Sequence, residues 1–365
     1  MEYLLALILS FVIAVILTVI IKKIAQKSKI VDKPELERKI HKKAVPLLGG
    51  VAVFLSFISV LIYFSFFTDF IIKDFIFGKH IWGIIIACLI IIIGGILDDK
   101  YDLSPKIQIV FPVLAVLIII ISGIGITHIR NPFGGEIRFD QWELILFWHQ
   151  GVAYKFTILA DLFTFFWLMG MMYTTKLLDG LDGLVSGITV IGALIIFAIA
   201  MSTNVAQYNT GLIAVILAGS FLGFLIFNWH PAKIFLGESG ALFAGLMLGV
   251  LAILSGSKVA TTLLIMGIPI LDVVWVIARR LIQGKNPFKF ADKKHLHFRL
   301  LDVGFTHKRA VIFYWSLTFI FGLMAIVLQT MGKLIALIIL SLVMIFMALS
   351  LVFAYKNKQS IDKNI

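Results

Sequence analysis

Residues 81–106 read IWGIIIACLIIIIGGILDDKYDLSPK. Apolar residues and glycines fill this stretch as far as Leu97, and two adjacent carboxylates, Asp98 and Asp99, follow at once. The apolar run is close to the roughly 20 residues that a helix needs to cross a bilayer. Because a carboxylate is costly to place beside hydrocarbon, the pair is expected at the water-facing end of that helix. The stretch therefore predicts a membrane helix with acidic groups at one membrane face.

Apolar runs of this kind recur along the whole chain. The 365 residues are 61% hydrophobic and 14% charged, with a mean hydropathy of +1.05, which excludes a soluble globular domain. We predict an all-α integral membrane protein, a single domain over residues 1–365, with about 11 transmembrane helices. The predicted spans are 3–21, 48–67, 81–97, 107–126, 157–173, 184–202, 210–228, 241–255, 259–277, 311–331 and 333–354.

The positive charge of the chain is distributed unevenly over the predicted loops. The net charge is +12, and most of the 32 Lys and Arg residues fall on one side of the predicted spans, above all in loops 22–47 and 278–310. The positive-inside rule places that side in the cytoplasm, with the N-terminus outside and the C-terminus cytoplasmic. The acidic motifs fall on the same side, although hydrophobicity alone defined the spans. Basic residues confined to short loops argue against a nucleic-acid partner.

Two more acidic motifs follow the first. In LDGLDG (178–183) the carboxylates of Asp179 and Asp182 are three residues apart, a spacing that turns them the same way, and the glycines allow a ligand close to the backbone. In FLGESG (235–240) Glu238 opens a predicted helix, where backbone N–H groups favour phosphate. Mg²⁺ uses one or two carboxylates together with substrate phosphates. The alternatives are helix-end solvation for Asp98 and Asp99 and simple helix capping for Glu238.

The largest predicted cytoplasmic loop carries ADKKHLHFRL at 291–300. Its lysines, arginine and histidines together suit a pyrophosphate. Zinc is an alternative for a His-x-His pair, but no cysteine or helical His-Glu pattern accompanies it.

Three features fall outside these loops. Asp161 and Asp272 lie in or near predicted spans, where a carboxylate is a functional hypothesis by default. We expect Asp161 to be solvated or hydrogen-bonded, and Asp272 to serve either as a helix tether or as a site residue. Turn residues followed by alternation predict a small external hairpin in 127–156.

Taken together, the motifs resemble those of the polyprenyl-phosphate N-acetylhexosamine-1-phosphate transferases. That family includes the undecaprenyl-phosphate GlcNAc-1-phosphate transferases, which the chain resembles more, and the phospho-MurNAc-pentapeptide transferases. The resemblance covers most of the chain and rests on motifs in the family's order: DKPELERKIH (32–41), PLLGG (46–50), ILDDKYDLSPK (96–106), LLDGLDGL (177–184), FLGESG (235–240) and HLHFRL (295–300).

The resemblance implies a reaction and its setting. Polyprenyl phosphate attacks the β-phosphate of a UDP-N-acetylamino sugar, giving polyprenyl-pyrophosphoryl sugar and UMP. Mg²⁺ is implied as cofactor, with Mn²⁺ as an alternative. The implied location is the plasma membrane, with an active site formed by cytoplasmic loops, and a homodimer is the implied assembly.

The resemblance also assigns roles by motif. Asp98 would position or deprotonate the lipid phosphate with Asp99 beside it, and Asp179 and Asp182 would shape the nucleotide site. Glu238 would hold the metal, assisted by Asp179. The implied substrate-binding residues are Lys33, Arg38, His41, Lys106, Lys176, Asp292, His295, His297 and Arg299.

The chain departs from the family pattern at three positions. Glu238 stands where the family has Asp, which keeps the ligand chemistry but moves the oxygens. Lys176 stands where the family has Asn, so it is expected to pair with a carboxylate or to contact a phosphate. Phe298 replaces the last histidine of the His motif.

Four other interpretations remain at this point. The first is transfer of phospho-MurNAc-pentapeptide within the same family. A CDP-alcohol phosphotransferase would need an Ala-Arg after the first Asp-Gly, which is missing here. A secondary transporter would place its charges near the bilayer midplane. The fourth is a catalytically inactive relative, suggested by the three departures.

Overall fold

The computed structural model describes residues 1–32, 44–149, 152–203, 205–256, 259–284 and 295–362. The helices are α1 (Glu2–Lys27), α2 (Gly49–Phe66), α3 (Gly78–Tyr101), α4 (Pro105–Gln108), α5 (Val110–Ile121), α6 (Ile158–Leu178), α7 (Leu184–Ala200), α8 (Tyr208–Asn228), α9 (Gly237–Leu254), α10 (Val259–Ile265), α11 (Gly267–Ile282), α12 (Leu296–Asp302), α13 (His307–Val327) and α14 (Thr330–Asp362). The strands are β1 (Val31–Asp32), β2 (Val45–Pro46), β3 (His128–Arg130), β4 (Glu136–Arg138), β5 (Glu143–His149) and β6 (Val152–Thr157).

Most of these helices are membrane-spanning candidates. Over the described ranges, eight helices are long and apolar enough to cross a bilayer: α1, α2, α3, α6, α8, α9, α13 and α14. The pair α10–α11, bent by 80°, becomes a ninth span when it is counted as one. Two further predicted spans fall on shorter apolar segments, α4–α5 and α7. The expectation of a multi-pass, mainly helical membrane protein is therefore confirmed, while the count of about 11 and the orientation stay predictions.

Two helices form the centre of the bundle. In the most apolar 18-residue segment of each helix, 78% of the residues of α8 and 89% of those of α9 are buried. The corresponding shares are 28% for α1 and 17% for α14. Helix α9 packs against α2, α3, α6 and α7, and α1 covers α8. An all-round apolar helix of this kind belongs in a core, whereas the exposed apolar faces of α1 and α14 suit contact with lipid.

Glycines bring α2 and α3 close to the first turn of α9. A methyl group at Gly50 would overlap the backbone of Gly240, and one at Gly95 would overlap the backbone of Ser239. Small residues permit this close helix approach in membrane proteins. The contact sets the acidic end of α3 beside Glu238.

The loop at 127–156 folds as two antiparallel hairpins, β3–β4 and β5–β6. The sequence predicts one hairpin here. The structure confirms that the loop forms hairpins, but it shows two of them. A further pair, β1–β2, joins the segment after α1 to the segment before α2. The hairpins adjoin the start of α6. The acidic LDGLDG motif follows the other end of this helix, which is roughly 30 Å long.

The glycine contact is testable by a matched pair of substitutions. We expect Gly95→Ala to lower the thermal unfolding midpoint in detergent, because overpacking against the backbone of Ser239 costs about 1–3 kcal/mol. Gly170→Ala in α6, where nothing lies within 4 Å of the added methyl group, should leave the midpoint unchanged or raise it. Equal midpoints for the two variants would contradict the packing argument.

Candidate active site

An acidic cavity opens among the helix ends of the bundle. Its volume is about 680 Å³, and it lies where α3, α6 and α8 end and where α7, α9 and α13 begin. The acidic residues that line it are Asp32, Asp98, Asp99, Asp102, Asp179, Asp182 and Glu238. Lys176 also lines it. The structure thus brings together the residues of the three acidic motifs, which are far apart in sequence.

The loop that follows α3 fixes the orientation of Asp98. The backbone N–H of Leu103 donates to Asp98 Oδ1 at 2.9 Å, and Gln108 Nε2 donates to the same oxygen at 2.8 Å. Gln108 also donates to the carbonyl of Leu103 at 2.9 Å. One oxygen of Asp98 is therefore held by the protein, and Oδ2 accepts no hydrogen bond from the described residues.

Asp99 meets the start of α9. The backbone N–H of Glu238 donates to Asp99 Oδ1 at 3.2 Å. Gly237 has a φ of +75°, and a Cβ there would lie 2.6 Å from Asp99 Oδ2, so only glycine suits the position. That buried Oδ2 has no hydrogen-bond partner among the described residues. Such a carboxylate oxygen needs a proton or a cation.

The PLLGG motif holds the loop before Glu238 in place. The backbone N–H of Gly49 donates to the carbonyl of Phe235 at 3.0 Å, and that of Gly50 donates to the carbonyl of Leu236 at 2.7 Å. The N–H of Phe235 in turn donates to the carbonyl of Pro46 at 2.9 Å. This motif therefore supports the acidic loop by its backbone.

Asp179 caps the C-terminal end of α6 and faces the cavity. Water reaches it from the cavity, but the protein on its other sides desolvates it. This desolvation, followed by the charges of Glu238 and Asp182, raises the pKa of Asp179 from 3.8 to about 7. Part of its population is therefore protonated near neutral pH unless a cation is bound.

Asp182 lies in a cluster with two histidines that the sequence analysis did not single out. Asp182 Oδ2 and His230 Nδ1 are 2.6 Å apart, and the N–H of Ala232 donates to the same oxygen at 3.1 Å. The rings of His230 and His307 stack at 4.0 Å between centroids. Among the described residues this is the one group of three whose possible metal-ligating atoms lie within 4.8 Å of one another. The hydrogen bonds already satisfy one Asp182 oxygen.

Asn228 at the end of α8 joins the two sides of this cluster. Its Oδ1 accepts from the N–H of Gly183 at 3.1 Å and from Ser186 Oγ at 2.9 Å, and its Nδ2 donates to the carbonyl of Ile234 at 3.1 Å. The side chain is buried, and both the oxygen and the nitrogen of its amide form hydrogen bonds. The sequence analysis missed Asn228 because one polar residue at a helix end carries no pattern.

Lys176, one of the three departures, pairs with another of them. Its ammonium forms an ion pair with Glu238 Oε1 and donates to Gln108 Oε1 at 3.1 Å. Because Gln108 donates to Asp98, the contacts run from Glu238 through Lys176 and Gln108 to Asp98. Of the two expectations for Lys176, pairing with a carboxylate is confirmed.

The histidine motif lies deeper than expected. His295 Nδ1 and Asp272 Oδ2 are 3.1 Å apart, and the N–H of Leu296 donates to Asp272 Oδ1 at 2.9 Å. His297 is fully buried, which lowers its pKa to about 4 and keeps it neutral at physiological pH. The neighbouring Phe298 lines the cavity instead. Asp272 is therefore a tether for this motif.

Other predicted residues lie elsewhere. Lys106 is exposed and Arg299 is partly buried, and neither lines the cavity. Lys33, Arg38, His41 and Asp292 lie outside the described residues, so their substrate-binding roles stay predictions. Asp161 accepts a hydrogen bond from the N–H of Thr157 at 2.7 Å, which agrees with the expectation that it is hydrogen-bonded.

The carboxylates of the cavity have the ligand chemistry of a hard divalent cation, although the oxygens of Asp99, Asp179 and Glu238 do not all lie within 4.8 Å of one another. The side chains of Asp99, Asp179 and Glu238 offer carboxylate oxygens, the ligands that Mg²⁺ prefers. The unpartnered Oδ2 of Asp99 and the raised pKa of Asp179 both indicate carboxylates in need of positive charge.

Comparison with known proteins agrees with this chemistry. The model of glycosyl transferase family 4 matches residues 81–256. A probable undecaprenyl-phosphate N-acetylglucosaminyl 1-phosphate transferase of Bacillus subtilis is 34% identical over 94% of this chain and 89% of its own length. The chain belongs to glycosyl transferase family 4.

Two other relatives are less similar to this chain. A decaprenyl-phosphate N-acetylglucosaminephosphotransferase of Mycolicibacterium smegmatis is 28% identical over 78% of this chain and 73% of its own length. An undecaprenyl-phosphate alpha-N-acetylglucosaminyl 1-phosphate transferase of Thermotoga maritima is 29% identical over 78% of both chains. The resemblance found in the sequence motifs, including the GlcNAc-1-phosphate branch, is thereby confirmed.

The raised pKa of Asp179 gives a pH prediction for this family 4 protein. Between about pH 4 and about pH 7 the carboxyl group of Asp179 holds a proton in the folded protein but releases it in the unfolded chain. Without metal, the free energy of unfolding therefore falls as the pH rises through this range. We expect the thermal midpoint in EDTA to fall over that range, and Asp179→Asn to flatten the profile. The exposed Asp69→Asn is the matched control and should keep the wild-type slope. An unchanged slope in Asp179→Asn would contradict the assignment.

Proposed function

We propose that this protein transfers GlcNAc-1-phosphate from UDP-GlcNAc to a polyprenyl phosphate. An oxygen of the lipid phosphate forms a bond to the β-phosphorus of the donor. The bond between that phosphorus and the oxygen bridging to the α-phosphate breaks, and UMP leaves with the electron pair. The products are polyprenyl-pyrophosphoryl-GlcNAc and UMP, so each phosphorus bond formed is matched by one broken.

The observation that carries the proposal is the acidic cavity at the helix ends. Phosphoryl transfer depends mainly on positioning and on neutralising charge, and carboxylates that gather a cation serve both needs. A site at the ends of membrane helices is within reach of a lipid phosphate and of a water-soluble nucleotide sugar. The relatives reported above are named for transferring N-acetylglucosamine phosphate to polyprenyl phosphates, which supports the same substrates here.

The side chains divide the work. Asp98, held by Leu103 and Gln108, has its Oδ2 open to orient the lipid phosphate or to accept its proton. Asp99, Asp179 and Glu238 would hold Mg²⁺, or Mn²⁺ in its place. The metal, when bound, neutralises charge on the transferred phosphate. The Asp182–His230 pair and the nearby His307 form the adjoining wall, on the nucleotide side of the cavity.

The setting is part of the proposal. Positive charge on the same side as the acidic motifs favours a cytoplasmic cavity in the plasma membrane, which is where a nucleotide sugar is found. Homodimer formation is proposed from the family resemblance alone.

The alternatives fit less well. The relatives are named for N-acetylglucosamine, which favours that donor over UDP-MurNAc-pentapeptide. The carboxylates gather at helix ends, whereas a transporter would need them near the midplane. The presence of Asp98, Asp99, Asp179 and Asp182 in one cavity favours an active enzyme over an inactive relative.

Release of UMP tests the function. Purified protein with undecaprenyl phosphate and Mg²⁺ should release UMP from UDP-GlcNAc, and EDTA should stop it. UDP-GalNAc and UDP-MurNAc-pentapeptide serve as competing donors. Release from UDP-MurNAc-pentapeptide alone, or from no donor by folded protein, would overturn the proposal.

The residue roles are tested by isosteric variants. We expect Asp98→Asn, Asp179→Asn and Glu238→Gln each to lower kcat by at least about a hundredfold, since each removes a charge on which positioning or metal binding depends. Asp69→Asn, which changes an exposed carboxylate outside the cavity, is the matched control and should change kcat only slightly. Near-normal turnover in all three site variants, with unchanged thermal midpoints, would refute the site.

A further inference from the structure

Lys176 is in an unusual position for a lysine. Its side chain is 21% exposed and its partner Glu238 is 18% exposed, so the ion pair is largely shielded from water. Screening by solvent and salt is weak for such a pair compared with one on the surface. Its ammonium therefore has a defined place between α6 and α9.

Lys176 is also the one lysine or arginine among the described residues that line the acidic cavity. The remaining charged lining residues, apart from the histidines, are carboxylates. Lys176 thus supplies a fixed positive charge where the cavity has an excess of negative charge. The ammonium is placed on Glu238, a carboxylate that the proposed function takes as a metal ligand.

A carboxylate oxygen bound to an ammonium is a poorer ligand for a second cation. The ammonium must move away, or its repulsion must be overcome, before a divalent ion takes up Glu238 Oε1. Lys176 also donates to Gln108 Oε1 at 3.1 Å, a contact that the ammonium retains as a partner when it leaves Glu238. The Lys176 ammonium and a divalent ion therefore compete for the carboxylate of Glu238.

We propose that Lys176 is a built-in cation that competes with the divalent metal for Glu238 and so sets how tightly the cavity binds metal. This inference rests on the proposed function in that Glu238 is taken as a metal ligand. The Lys176–Glu238 pair then explains two departures from the family pattern at once. The longer Glu reaches the ammonium, and the ammonium lowers the metal affinity of the site.

The test is Mn²⁺ binding, which needs neither donor nor lipid. Free Mn²⁺ is measured by its electron paramagnetic resonance signal in a titration of purified protein in detergent. We expect Lys176→Gln to bind Mn²⁺ about tenfold more tightly than wild type, which corresponds to about 1.4 kcal/mol. Lys176→Arg, which keeps the charge, should bind as wild type does.

Controls separate this effect from general charge. Lys27→Gln removes an exposed lysine outside the cavity and should leave Mn²⁺ binding unchanged. Glu238→Gln should abolish the tight binding in the Lys176→Gln background. Lys176→Asn provides a second uncharged variant, and thermal midpoints report folding.

The outcomes are distinct from those of the transferase assay. Equal or weaker Mn²⁺ binding by folded Lys176→Gln and Lys176→Asn would overturn the proposal, and so would tight binding that survives Glu238→Gln. UMP release with a different donor would revise the proposed function while leaving this inference intact.

Discussion

The need to neutralise carboxylates at the edge of a membrane bundle governs this structure. Three acidic motifs from distant parts of the chain meet in one cavity, where the surrounding protein raises the pKa of Asp179 to about 7. Bringing such groups together is unfavourable unless a proton, an ammonium or a metal ion compensates. In this cavity Lys176 provides part of that charge, and a divalent ion is well suited to provide the rest.

The bundle is built to hold these carboxylates together. Gly50 and Gly95 let α2 and α3 approach the start of α9, and Asn228 connects the Asp182 turn to the loop before Glu238. Unpaired polar groups are expensive in a membrane protein. These hydrogen bonds satisfy part of the polar groups at the cavity, while the buried Oδ2 of Asp99 has no hydrogen-bond partner among the described residues. Rigid support of this sort keeps charged groups positioned for phosphoryl transfer, because little reorganisation is then needed during the reaction.

The sequence predicted much of this, for physical reasons. Apolar runs long enough to cross a bilayer identify membrane helices, and the cost of burying charge places Asp98, Asp179 and Glu238 at helix ends. Roles that depend on packing between distant helices were not visible. His230 and His307 became neighbours of Asp182 only through the arrangement of α8 and α13. The His295 motif is anchored through Asp272 in α11, a contact between distant segments that the sequence did not reveal, and its substrate-binding role stays a prediction.

The position of a bound divalent ion tests the central claim most directly. Anomalous diffraction from crystals of the protein grown with Mn²⁺ and UDP would locate the ion without any assumption about its ligands. The account predicts a peak beside the carboxylates of Glu238, Asp99 and Asp179. A peak between Asp182, His230 and His307, with none beside Glu238, would contradict it.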